Sequence, residues 1–160
     1  MNKEKITIVL ASDHAGFALK NSVKEMLEKE GYKILDVGAH TLVPEDDYPV
    51  YISAGALKVA EDLSGNTKAI IFGGSGQGEA IVANRFPGVR AIVWYGDIYN
   101  DPNLSIIKLS REHNDANVLS IGARFVNEGD VIVAVKLWLT TDFSNEDKHL
   151  RRINLIDSIQ

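Results

Sequence analysis

Five short runs of aliphatic and β-branched residues, each separated from the next by a stretch long enough for a helix, constrain this chain most. They cover residues 6–11, 33–37, 69–72, 90–94 and 118–122, and several are apolar at nearly every position. A strand with one wet face would alternate polar and apolar residues, whereas a strand covered by helices on both faces need not. The segments between them read as helices at 18–29, about 50–62, 79–85, 104–112 and 129–139. In the first, Leu19, Val23, Met26 and Leu27 share a face and Gly31 takes the C-cap position. The order is βαβα throughout, which predicts an α/β, doubly wound three-layer sandwich of Rossmann or flavodoxin-like type. It would have a five-stranded parallel sheet and a helical C-terminal tail. No linker, repeat or low-complexity tract interrupts the 160 residues, so 1–160 is read as one domain.

In such a fold the ligand site lies at the carboxyl ends of the strands. The third run leads there into Gly73-Gly74-Ser75-Gly76-Gln77-Gly78-Glu79. Glycines let the backbone approach a ligand, and free N–H groups where a helix begins favour phosphate or a developing oxyanion. Two phosphate-loop patterns fail on these residues. Gly73 and Gly78 have the outer spacing of a Walker A loop, but Glu79 stands where Lys is required. A dinucleotide turn needs a third glycine at 79 or 81, where the chain has Glu79 and Ile81. A carboxylate is the wrong charge for holding phosphate, and beside an oxyanion site it points to proton transfer. A glycine-rich connection with no ligand is the alternative.

Composition narrows the partners. With 17 basic against 22 acidic residues and a formal charge of −5, the surface does not suit nucleic acid, so a bound anion must meet a local basic cluster. The absence of cysteine excludes disulfides, thiolate nucleophiles and Cys-based zinc sites and fits a cytoplasmic location. Met1 to Lys5 lead straight into the first strand without a signal-peptide core. The longest apolar stretch, 131–139, contains Lys136 and is too short to span a bilayer, so no membrane association is expected.

Three more groups carry polar chemistry. Asp13 and His14 follow the first strand, and Arg124 follows the fifth. Alone, Asp13 could simply cap a helix and the other two could be surface residues, but the fold brings all three to one edge with Glu79. Ser110 to Asn117 precede the fifth strand; Asn114 there suits a turn, while the His113 imidazole can exchange protons near neutral pH. No ligand cluster with metal spacing surrounds His113, so no metal is expected. In the tail, Lys148, His149 and Arg152 share a face if the segment is helical. Ile153, Leu155, Ile156 and Ile159 give it an apolar side, which a neighbouring subunit would bury.

Through 12–16, 47–49, 73–79, 83–85, 111–115, 122–124 and the tail, the chain resembles the type B ribose-5-phosphate isomerases and the related galactose- and allose-6-phosphate isomerases. One branch of that family carries a cysteine base at the position of Gly73, another a glutamate at that of Glu79. The lack of cysteine puts this chain with the second. The resemblance implies a sugar-phosphate isomerase of carbohydrate metabolism, in the pentose phosphate pathway, which needs no cofactor and works through an enediolate. Glu79 would be the base, with Ser75 and the N–H groups of the Gly74, Gly76 and Gly78 loop holding the oxyanion. His113 would assist ring opening, and Asp13, Tyr48 and Asn114 would hold hydroxyls or the ring oxygen. His14, Arg124 and the partner subunit's Lys148, His149 and Arg152 would grip the phosphate in a homodimer, or a dimer of dimers, with shared sites. Position 148 is lysine where that branch tends to have arginine, and the segment 95–103 is longer than the usual connection. Both bear on substrate choice, leaving a hexose-6-phosphate isomerase or a non-catalytic sugar-phosphate or nucleotide module as alternatives.

Overall fold

The computed structural model describes residues 6–96 and 105–159. Its sheet has strands β1 (Thr7–Ser12), β2 (Lys33–Asp36), β3 (Thr67–Gly73), β4 (Ala91–Trp94) and β5 (Val118–Gly122), in the order β2-β1-β3-β5-β4. All four pairings are parallel. The helices are α1 (Phe17–Lys29), α2 (Tyr48–Ala60), α3 (Gln77–Ala83), α4 (Ile106–Asn114), α5 (Glu128–Thr140) and α6 (Asp147–Asp157).

Alternation along the central strands divides the core. Ile8, Leu10, Ile70 and Phe72 join Val23, Leu27, Ile107, Val131 and Trp138 on the face covered by α1, α4 and α5. Val9, Ala11, Ala69 and Ile71 meet Ile52, Ala56, Val59 and Ala83 of α2 and α3 on the other. Each such aliphatic side chain, wholly removed from water, contributes about 1.5–3 kcal/mol. The chain passes from β1 outward to β2 and then returns to β3 on the other side, so the crevice between the β1 and β3 ends is the topological switch point. Register sets Ser12 beside Phe72 and Gly73 beside Gly122, so the connections after β1, β3 and β5 leave the sheet at one level.

The expected elements are present with shifted ends. α2 starts at Tyr48 because Pro49 fits a first helical turn. α3 starts at Gln77, so Gly78 is inside the helix rather than in the loop. Gly31, at φ +84°, lies one residue beyond the C-cap Glu30. Residues 97–103 of the long connection, Leu104 of the fourth expected helix and Met1 to Lys5 lie outside the described residues.

One buried charge was not legible in the α1 pattern. Lys20 is fully buried, and its ammonium donates to Asp36 Oδ1 at 2.7 Å and to the Ala39 carbonyl at 2.6 Å. Burial pushes the Asp36 carboxyl up, but bonds from Lys20, the Gly38 N–H and Lys24 outweigh it and hold the group below its ordinary value. This pairing ties α1 to the end of β2. Lys20→Met should cost about 3 kcal/mol at neutral pH, the scale for stranding one member of a buried pair. Because the folded carboxyl titrates low, the contribution is present above the unfolded value and lost as pH falls through the folded one. Urea unfolding of both proteins should therefore show the gap narrowing below about pH 4.

Candidate active site

At the end of β3 the backbone turns through Gly74 and Ser75 to Gly76, whose φ of +77° is left-handed and suits glycine. The Gly76 carbonyl accepts from Ser120 Oγ at 2.7 Å, which fixes the turn to β5. Ser75 Oγ accepts from the Gln77 N–H at 3.3 Å. Within the first turn of α3, Glu79 folds back over the strand end and is only 4% exposed. Its carboxylate fills the space that a side chain at residue 73 would occupy: a methyl group on Gly73 would lie 1.8 Å from Oε1. Burial raises the Glu79 pKa, and the nearby Asp13 charge raises it further, against backbone N–H groups that favour the anion.

The other strand ends close around this carboxylate. Asp13, buried, accepts through Oδ1 from the Ala15 and Gly16 N–H groups at 2.9 and 3.1 Å. It braces the turn ahead of α1 and is not the N-cap, which is Gly16. Tyr48 opens α2 with its hydroxyl against Gly78, where a methyl group would come within 2.6 Å of it. Arg124 leaves β5 with its N–H donating to the Gly74 carbonyl at 3.1 Å, and its guanidinium borders Gly74. Asp13, His14, Tyr48, Gly74, Ser75, Gly78, Glu79 and Arg124 thus line one cleft of about 410 Å³, with Ala15 and Phe125. Phe125 was not anticipated; its only sequence signal is adjacency to Arg124.

Asp46 was also missed. One oxygen, Oδ1, lies 2.8 Å from the His14 N–H and 2.7 Å from His14 Nδ1. The imidazole bonded this way carries its proton on Nδ1, so its orientation is set from a loop more than thirty residues away. Burial pushes the Asp46 carboxyl up, yet the bonds from His14 prevail and hold it below the ordinary range. Asp13, His14 and Asp46 also bring one ligand atom each within 4.8 Å of one another, a spacing that could hold a cation. Sequence spacing hid the trio because Asp46 is distant along the chain, and here Nδ1 of His14 is already engaged by Asp46.

The remaining expected residues form a separate group. His113 and Asn114 end α4, just before β5 begins, whereas Arg124 follows the end of β5. The strand is five residues long, which puts about 16 Å of sheet between the two groups. His113 stacks on His149 of α6, with centroids 4.3 Å apart and planes 12° from parallel. His149 is 3% exposed, and its buried Nε2 has no hydrogen-bond partner among the described residues. Burial lowers its pKa, and the His113, Lys148 and Arg152 charges lower it further against Glu146. Lys148 pairs with Glu146 at 2.7 Å, and Arg152 is exposed. The tail is helical, as expected, but within one chain it faces His113 and does not line the Glu79 cleft.

Residues 8–156 match the family model for ribose/galactose isomerases. The chain is 36% identical over 150 residues to ribose-5-phosphate isomerase B of Mycolicibacterium paratuberculosis, covering 93% of this chain and 88% of that protein. It is 34% identical over 154 residues to ribose-5-phosphate isomerase B of Escherichia coli, covering 96% and 95%. Among solved structures, ribose-5-phosphate isomerase B from Mycoplasma genitalium with bound ribulose-5-phosphate superposes with a TM-score of 0.88 at 31% identity, covering 96% of this chain and 95% of that one. A match that runs from the first strand to the tail helix, and includes every loop of the cleft, establishes that this chain belongs to the ribose/galactose isomerase family.

Proposed function

We propose that this protein interconverts ribose 5-phosphate and ribulose 5-phosphate through an enediolate, with Glu79 as the base. The observation that carries the reading is a buried carboxylate with a raised pKa, set against a glycine loop and open to a cleft. A module that only held phosphate would have no use for a desolvated anion there. The names of the relatives support the same substrate.

In the forward step the Glu79 carboxylate takes the proton from C2 of the open-chain aldose and returns it to C1. The negative charge that develops on the substrate oxygen is met by Ser75 and the N–H groups of Gly74, Gly76 and Gly78 at the loop and the start of α3. Asp13 and Tyr48 hold hydroxyls, and His14 and Arg124 grip the phosphate from this chain.

Because one chain keeps His113 at the far end of β5, the complete site needs a second subunit. We assign to the partner subunit's His113 the opening of the sugar ring and to the partner subunit's Asn114 a hydroxyl or the ring oxygen. The partner subunit's Lys148 and Arg152 complete the phosphate site. The stack on His113 makes His149 a positioning residue that holds the ring-opening imidazole.

Glu79→Gln should keep the fold and lower kcat by about 10² to 10⁴, the scale of a lost general base. The wild-type activity should fall with pH on a limb above the ordinary glutamate value of 4.5. Folding favours the protonated carboxyl, so ionised Glu79 costs stability as pH rises through its folded pKa. At pH 7–8 the glutamine variant should therefore melt above wild type. Thermal scans that put it below would contradict the buried, raised carboxyl.

Asp46→Asn keeps an acceptor for the His14 N–H but removes the charge beside its ring. Steady-state kinetics should show KM raised about 5- to 10-fold, from one weakened charge-assisted bond, with kcat within about twofold. An unchanged KM would remove His14 from the phosphate site.

Mixed refolding tests the shared site. Glu79→Gln and Arg152→Ala homodimers should each be impaired, and equal mixtures should give about half heterodimers by random pairing. Each heterodimer would have one intact and one doubly defective site, so activity should return to about a quarter of wild type. Heterodimers without recovered activity would place both residues in one chain's site.

A further inference from the structure

The amino ends of the strands, opposite the Glu79 cleft, hold a second cavity of about 240 Å³. Its charged and polar lining includes Lys68 of β3, Arg111 of α4, Arg90, Asp62, Asp115 and Asn117. Lys68 is 8% exposed, and its ammonium has no hydrogen-bond or ion-pair partner among the described residues. The carboxylates that line the cavity are engaged elsewhere. Asp115 takes Arg111 on Oδ1 at 2.7 Å and Arg90 on Oδ2 at 3.0 Å. Asp62 takes the Ser64 hydroxyl and N–H on one oxygen and the Thr67 N–H on the other, and is held down to about 2. Arg111 spends Nη1 on Asp115 and the Ala116 carbonyl and Nε on the Thr141 carbonyl.

The Lys68 side chain is largely buried while its ammonium still meets solvent in the cavity, and an anion entering there would offset the partial desolvation of the cation. Burial and the Arg111 charge both disfavour the Lys68 cation, and the Asp115 and Asp142 charges act in the opposite sense. Lys68 is the one cation of the lining without an ion-pair partner among the described residues, which favours an oxyanion, and the volume leaves room for a few atoms beyond a phosphoryl group. We propose that this cavity is a second anion site, separate from the Glu79 cleft, which binds phosphate or a small phosphate monoester with Lys68 as its principal ligand.

The test removes the proposed substrate grip first, using the Arg124→Ala, Arg152→Ala double variant. Equilibrium dialysis with labelled inorganic phosphate should still find one ion per chain, displaced by glycerol 3-phosphate. Adding Lys68→Met should weaken that binding by at least about tenfold, the scale of one lost charge-assisted contact. Lys68→Gln should do the same, and Lys68→Arg should retain it. Since Lys68→Met deletes a partly desolvated charge that has no ion-pair partner among the described residues, its melting temperature without phosphate should not fall. Glycerol 3-phosphate competing as well as phosphate assigns the site to the monoester, and phosphate alone competing restricts it to the free ion. No bound phosphate in the double variant, binding indifferent to Lys68, or displacement by succinate as readily as by phosphate would overturn the proposal.

Discussion

The carboxylate of Glu79 rests over the Cα of Gly73, a contact that exists only because residue 73 has no side chain. Much of the cleft follows from it. For α3 to bring Glu79 back over the strand, the chain must reverse within Gly74 to Gly76, which the left-handed Gly76 allows. The helix can then lie close to α2 only if Gly78 leaves room for the Tyr48 hydroxyl. A side chain at 73 and the Glu79 carboxylate would reach for one point in space, so only one of the two positions can fill it.

Parallel strands also explain why the polar residues divide. Every connection after a strand emerges on the Glu79 edge, and every connection before a strand lies on the opposite edge. Asp13, His14, Gly74 and Arg124 belong to the first kind, and His113 and Asn114 to the second. No rearrangement of loops within one chain brings the ends of β5 together, so a mechanism that uses both groups requires subunits placed with one chain's α4 and α6 against the other's cleft. The stack of His113 on His149 gives that second group its own rigidity within one chain.

The sheet was legible because β1, β3 and β5 are apolar on both faces, and only a doubly covered parallel sheet uses such strands. The cleft residues were legible because the fold sends them to one edge. Element ends were less so: the helices expected from about 50 and from 79 begin at Tyr48 and Gln77, because Pro49 tolerates an initial helical turn and Gly78 leaves room for Tyr48. Lys20, Lys68 and Asp46 were not legible at all. Each looks like a surface charge in sequence, and its burial depends on partners or cavities supplied by distant segments.

These charges show where the molecule departs from a simple apolar sandwich. Lys20 is buried with two acceptors and strengthens the framework, whereas Glu79 is buried against its own ionisation and weakens it. The difference tracks position. Lys20 bridges α1 to the end of β2 with its charge satisfied, while Glu79 sits at the switch point with its pKa raised by burial. A buried carboxylate of this kind stays in place only if its neighbours cannot collapse onto it. Here Phe72 and Ile121, both wholly buried, hold the strand ends beneath the loop. Ser120 ties Gly76 to β5, and Arg124 ties Gly74. The apolar core thus supplies the energy that keeps the Glu79 carboxylate dry, and the glycine loop supplies the room for it.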